Sequence, residues 1–108
     1  MKILVIGTNT ASDFISQKLL EDPRVEKIWH VGANHNKFPS DRYEPYPFKE
    51  KQLLEFIKDS ADSIDLIIPT VLYFQLWDTF KKIVKNNHIP ILMPGYNLGM
   101  LEWSKATA

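Results

Sequence analysis

Apolar runs alternate with stretches of helical spacing along the whole chain. The first run, KILVI at residues 2–6, is continuously apolar after its lysine, as a strand is when both faces of a parallel sheet are covered. Phe14, Ile15, Lys18 (through its stem) and Leu19 then recur at helical spacing, and Asp22-Pro23 stops that helix because the residue before proline avoids the α region. Residues 25–31, VEKIWHV, read as a second strand with Val25, Lys27, Trp29 and Val31 on one side and Glu26, Ile28 and His30 on the other. The stretch GANHNKFPSDRYEPYPFKE has no helical period. A short strand within residues 43–48 is confined to a sheet edge by Pro45 and Pro47.

Leu53, Leu54, Phe56 and Ile57 mark a second helix, and IDLIIP at residues 64–69 a third buried strand. Thr70 is placed to cap the next helix, whose core stripe is Leu72, Leu76, Phe80, Ile83 and Val84 and which Asn86-Asn87 ends. PILM at residues 90–93 is the last strand, and the tail MPGYNLGMLEWSKATA reads as a turn and the start of a helix. Such alternation predicts an α/β fold: a doubly wound, mainly parallel sheet of four or five strands, with helices on both faces and right-handed crossovers. Ligands of these Rossmann-like sheets sit beyond the carboxyl ends of the strands, at the topological switch point. The loops after Ile6, Val31, Pro69 and Met93 are therefore where chemistry is expected.

The chain's 108 residues suit one domain. Thirteen basic and thirteen acidic residues cancel, so no bulk field draws the molecule to nucleic acid or an anionic membrane. No apolar run is long enough to span a bilayer, and the apolar start reads as a strand and not a signal peptide. There is no cysteine, hence no disulfide, thiol nucleophile or Cys-based zinc site, and a cytoplasmic location is expected. His30, His35 and His88 lack ligand spacing, so neither a metal site nor a catalytic constellation is expected.

The first loop, Gly7-Thr8-Asn9-Thr10-Ala11-Ser12, lacks the G-x-G-x-x-G of dinucleotide sites, and the second strand ends without a carboxylate. No Gly-Lys-Ser/Thr follows, so it is not a Walker loop either. Backbone amides and the Thr8, Thr10 and Ser12 hydroxyls would suit a phosphate. Against this, Asp13 stands in the first helical turn and no Lys or Arg lies between Gly7 and Gln17. The competing reading is a capping loop, with Thr10 or Ser12 as N-cap and Asn9 in a left-handed backbone. In the second loop Asn34, His35, Asn36 and Lys37 would either read sugar hydroxyls or form a plain polar loop. Tyr73 and Trp77 pair at i, i+4 off the core stripe; with Met100 and Trp103 they make either second-layer core or a docking surface for another domain or subunit.

Several segments agree in order and spacing with one family: MKILVIG at the start, KLLEDPRVEKIWHV, SIDLIIP, IPILMP, and LEWSKATA at the end. Taken end to end, the chain resembles the N-terminal, pre-ATP-grasp domain of phosphoribosylamine–glycine ligase (GAR synthetase), an ATP-grasp enzyme of purine biosynthesis. The resemblance implies that residues 1–108 form one substrate-side domain. The loops that help hold the amine substrate would be Gly7, Thr8, Asn9 and Thr10, then Asn34, then Pro69 and Thr70. Glu102, Ser104 and Lys105 match the L-E-G-S-K-A-x-A hinge into the ATP-grasp region. ATP and Mg2+ would be bound only in a longer parent, beyond Ala108, so this chain alone is expected to be inactive.

The loops depart from the family pattern. G-S-G-G-R-E-H-A stands here as Gly7-Thr8-Asn9-Thr10-Ala11-Ser12-Asp13-Phe14, P-G-N-A-G as Gly32-Ala33-Asn34-His35-Asn36, and G-P-E as Ile68-Pro69-Thr70. The expectation is thus a divergent ligase domain whose substrate differs from phosphoribosylamine. The alternative is a free-standing binding or interaction module that kept the fold and lost the site.

Overall fold

The computed structural model describes residues 1–33, 38, 40–70 and 77–92. Along them run β1 (Lys2–Ile6), α1 (Thr10–Leu20), β2 (Lys27–Val31), β3 (Tyr43–Tyr46), α2 (Glu50–Asp59), β4 (Leu66–Pro69) and α3 (Trp77–Asn86). Each strand pairs in parallel with its neighbour, in the order β3-β2-β1-β4. The expected last strand is reduced to one parallel bridge, Ile67 to Ile91, on the far side of β4; Met93 lies outside the described residues. The chain therefore steps outward from β1 to β3, then crosses back to β4, which puts the switch point between β1 and β4.

Alternation along β1 divides the core. Leu4 and Ile6 point to the face covered by α2 and α3, where Leu53, Leu54, Ile57, Phe80 and Val84 are buried with Val31 and Ile67. Ile3 and Val5 point to the other face, with Ile28, Tyr43 and Ile68, against Ile15, Leu19 and Leu20 of α1. Helices on both faces make the fold doubly wound, as the spacing predicts.

Val25 corrects the expected strand pattern. It packs beside Ile28, on the face opposite Trp29 and Val31, because regular β2 begins only at Lys27. Edge strand β3 carries Pro45 where the sequence put it. Arg42 and Tyr46 direct their carbonyls to Ile28 and Gly32 of the β2 segment, so in a parallel ladder the backbone groups of Tyr43 and Pro45 face outward. There Tyr43 N–H is taken by Ser40 O at 3.3 Å and Pro45 has no N–H, which denies a donor to any added strand.

α1 also differs from its apolar pattern. Phe14 is 55% exposed, with the Lys18 ammonium 5.6 Å from its ring centre, whereas Ser12 and Ser16 are fully buried. Two small side chains one turn apart let the helix approach the sheet closely, a contact that hydrophobicity alone does not single out. The end of α1 is held from a distance: Arg42 donates to the carbonyls of Leu20 and Val25, the latter at 2.6 Å. α3 ends in a Schellman turn, with Ile89 N–H on Val84 O and His88 N–H on Lys85 O, both 3.1 Å. His88 occupies the left-handed position there, at φ 56°.

Candidate ligand crevice between β1 and β4

At the switch point the ends of β1 and β4 are level, Ile6 opposite Pro69, and the loops that follow them touch. Thr70 N–H donates to Ile6 O at 2.7 Å. Its hydroxyl also turns back to β1, 2.8 Å from Ile6 O and 3.2 Å from Asn9 Oδ1, and one proton serves either acceptor. The helix that Thr70 was expected to cap is described only from Trp77.

Asn9 is the N-cap of α1, a correction to the expectation of Thr10 or Ser12. Its backbone is extended, at φ −103° and ψ 175°, and not left-handed. Its side-chain oxygen accepts from Ser12 N–H at 3.0 Å. Ser12 instead uses its hydroxyl to donate to the carbonyls of Asn9 at 2.7 Å and Gly7 at 3.1 Å. Thr10 is the first residue of the helix.

Gly7 is engaged on every side. Its N–H donates to Val31 O at 2.9 Å. Its carbonyl accepts from Ser12 and from His30 Nε2, the latter at 3.0 Å. Because a carbonyl only accepts, Nε2 carries the proton that reaches Gly7 O, and Nδ1 is hydrogen-bonded to the Tyr43 hydroxyl at 2.7 Å. Burial, with a smaller contribution from the negative charge of Asp13, pushes the Tyr43 phenol up to about 12. A Cβ on Gly7 would stand 1.8 Å from Thr70 Oγ1, and one on Gly32 would stand 2.0 Å from Gly7 O. The two glycines are thus where two strand ends and a helix start meet with no room for a side chain.

The crevice therefore brings together Gly7, Thr8, Asn9, Thr10, Pro69 and Thr70 of the predicted site. Gly7 and Pro69 form its buried floor, while Thr8, Asn9 and Thr10 are exposed at its mouth. Asn34, the hinge residues Glu102, Ser104 and Lys105, and the aromatics Tyr73 and Trp103 lie outside the described residues. Trp77 packs against the α2–α3 core cluster and stacks on Phe80, ring centres 5.0 Å apart, so part of its surface serves this chain's own core.

Sequence reasoning did not find His30 and Tyr43, which lock the floor. Their only signal is a histidine in the inward register of a buried strand. Among the described residues no three His, Asp or Glu side chains converge as a metal site, and no helix is long and apolar enough to cross a membrane.

The fold and crevice define a Rossmann-like α/β domain with a mainly parallel sheet. No model of a known protein family matches the chain, and a search of curated proteins finds no match.

Proposed function

We propose that this chain is the substrate-side domain of an ATP-grasp-like carboxylate–amine ligase of the phosphoribosylamine–glycine ligase type. The observation that carries the reading is the convergence of the loops after β1 and β4 at the switch point of a β3-β2-β1-β4 parallel sheet. In such a ligase ATP activates a carboxylate as its acyl phosphate, and an amine attacks to give the amide, ADP and phosphate. ATP and Mg2+ belong to the ligase as a whole. The part assigned to this domain is to hold the amine substrate, through the hydroxyls of Thr8 and Thr10 and the Asn9–Thr70 pair. Asp13, in the first turn of α1, favours an amine and disfavours a phosphate at the same mouth.

A second reading is a binding or interaction module without a substrate site. It is favoured by one observation: the Thr70 hydroxyl lies against Asn9, and both backbone polar groups of Gly7 are already bonded within the chain. An amide NMR titration with glucosamine, whose ammonium is the group this mouth favours, with glucose as the uncharged control, separates the two. Saturable shifts confined to Thr8, Asn9, Thr10 and Thr70 are expected for the substrate domain. A spectrum unmoved by both sugars overturns that reading in favour of the module.

A further inference from the structure

A second concavity lies away from the crevice, where β2 and β3 end against the first turns of α2. It has a volume of about 80 Å³, room for one ring-sized group or two to three waters. Val31 and Leu53 form its floor, both buried in the core. The rings of Tyr46 and Phe56 stand as walls, centres 6.1 Å apart and inclined at 41°. Lys49 and Gln52 complete its rim.

Both walls are set by contacts outside the pocket. Tyr46 O–H donates to Glu44 at 2.5 Å, and Glu44 is in turn held by the Lys27 ammonium at 2.7 Å. These bonds keep the Glu44 carboxyl below its ordinary range, the Lys27 contact first. Phe56 meets Trp29 edge-on, ring centres 5.5 Å apart. The rim is the reverse: the Lys49 and Gln52 side chains are exposed and make no hydrogen bond or ion pair among the described residues. An apolar slot with uncommitted polar groups at its mouth has the lining chemistry of a small-molecule site, at a fraction of the roughly 300–1,000 Å³ of a drug-sized one, and it sits beyond strand ends, as ligands of such sheets do.

From this arrangement we infer that the β2–β3–α2 pocket binds a small apolar carboxylate, one planar ring or short branched chain whose acid group meets Lys49. The apolar portion replaces water against Val31, Leu53, Tyr46 and Phe56. The charge of Lys49 selects the acid over a neutral analogue of the same shape. The inference is independent of the β1–β4 crevice, since the two sites share no residue.

Benzoate is the probe, followed by amide and methyl NMR on the whole chain, with benzyl alcohol and acetate as comparison ligands. Benzoate is expected to give saturable shifts at Val31, Leu53 and Phe56, with acetate leaving them unmoved. Lys49→Met is expected to weaken benzoate about fivefold, the scale of one exposed ion pair, with little effect on benzyl alcohol. Gln52→Trp, an exposed position, fills the slot and is expected to abolish both. Absence of saturable shifts with benzoate overturns the inference, as does equal affinity for benzoate in wild type and in both variants.

Discussion

Replacing Gly32 with alanine tests the packing of the strand ends most severely. The new Cβ would lie 2.0 Å from Gly7 O, 2.5 Å from Gly7 C and 3.1 Å from Thr8 N, so every atom it meets is backbone. That backbone is pinned by Gly7 N–H on Val31 O and by His30 on Gly7 O. It cannot retreat without breaking the β1–β2 junction. Gly32 also sits at φ 127°, where a side chain is strained whatever the space. A sparsely populated backbone costs about 1–3 kcal/mol, and forcing volume into a packed site about 1–3 more. A loss of about 3–5 kcal/mol is expected, a large share of the 5–15 kcal/mol or so that holds a typical domain.

Urea unfolding followed by tryptophan fluorescence reads this as a fall in midpoint with an unchanged slope. Gly7→Ala is the contrasting case. Its closest clash is with one side-chain oxygen, Thr70 Oγ1, so adding Thr70→Ala is expected to recover part of the loss there and none of it in Gly32→Ala. A Gly32→Ala protein within about 1 kcal/mol of wild type would refute the tight junction.

Three further outcomes follow from other parts of the fold. Ser16 Oγ is buried with no hydrogen-bond partner among the described residues, so Ser16→Ala is expected to raise stability by about 1 kcal/mol, read from the same urea transition; a loss would contradict the placement of α1. His88 is exposed and left-handed at φ 56°, so His88→Gly is expected to add about 1 kcal/mol in thermal unfolding, relieving the strain that glycine avoids at a Schellman turn. Tyr43 titrates at about 12 in the folded chain against 10.0 ordinarily. Its contribution is complete below pH 10; above that the unfolded chain releases its proton first, and stability falls until pH 12, by about 2–3 kcal/mol. Chemical unfolding at steps from pH 9 to 12 in wild type and Tyr43→Phe isolates this slope, and parallel curves would contradict it.

The crevice was legible only in part. The spacing of MKILVIG and IDLIIP placed its two loops, because unbroken apolar runs are what strands covered on both faces require. The capping of α1 was not legible, since Asn9, Thr10 and Ser12 are all competent caps and the choice depends on which backbone bends first. Asn9 takes the role because Ser12 is drawn onto the carbonyls of Gly7 and Asn9. Phe14 misled for a related reason. Its apolarity fits a buried stripe, yet the fully buried positions of α1 are Ser12 and Ser16, with Ile15, Leu19 and Leu20 packed beside them, and Phe14 lies outside that face.

Local chemistry by itself determined the order of elements, the edge position of β3 through Pro45 and the end of α1 near Asp22-Pro23. Each follows from a property one residue or one short period carries: a missing N–H, a fixed φ, an alternation of two. Tertiary structure alone decided what depends on residues far apart in the chain. It set the junction of Gly7 with Gly32, His30 and Thr70, the Arg42 tie to the end of α1, and the pocket walled by Tyr46 and Phe56. These contacts arise because β3 joins the sheet beside β2 while β4 joins it on the far side of β1, a choice of neighbours that no single segment encodes.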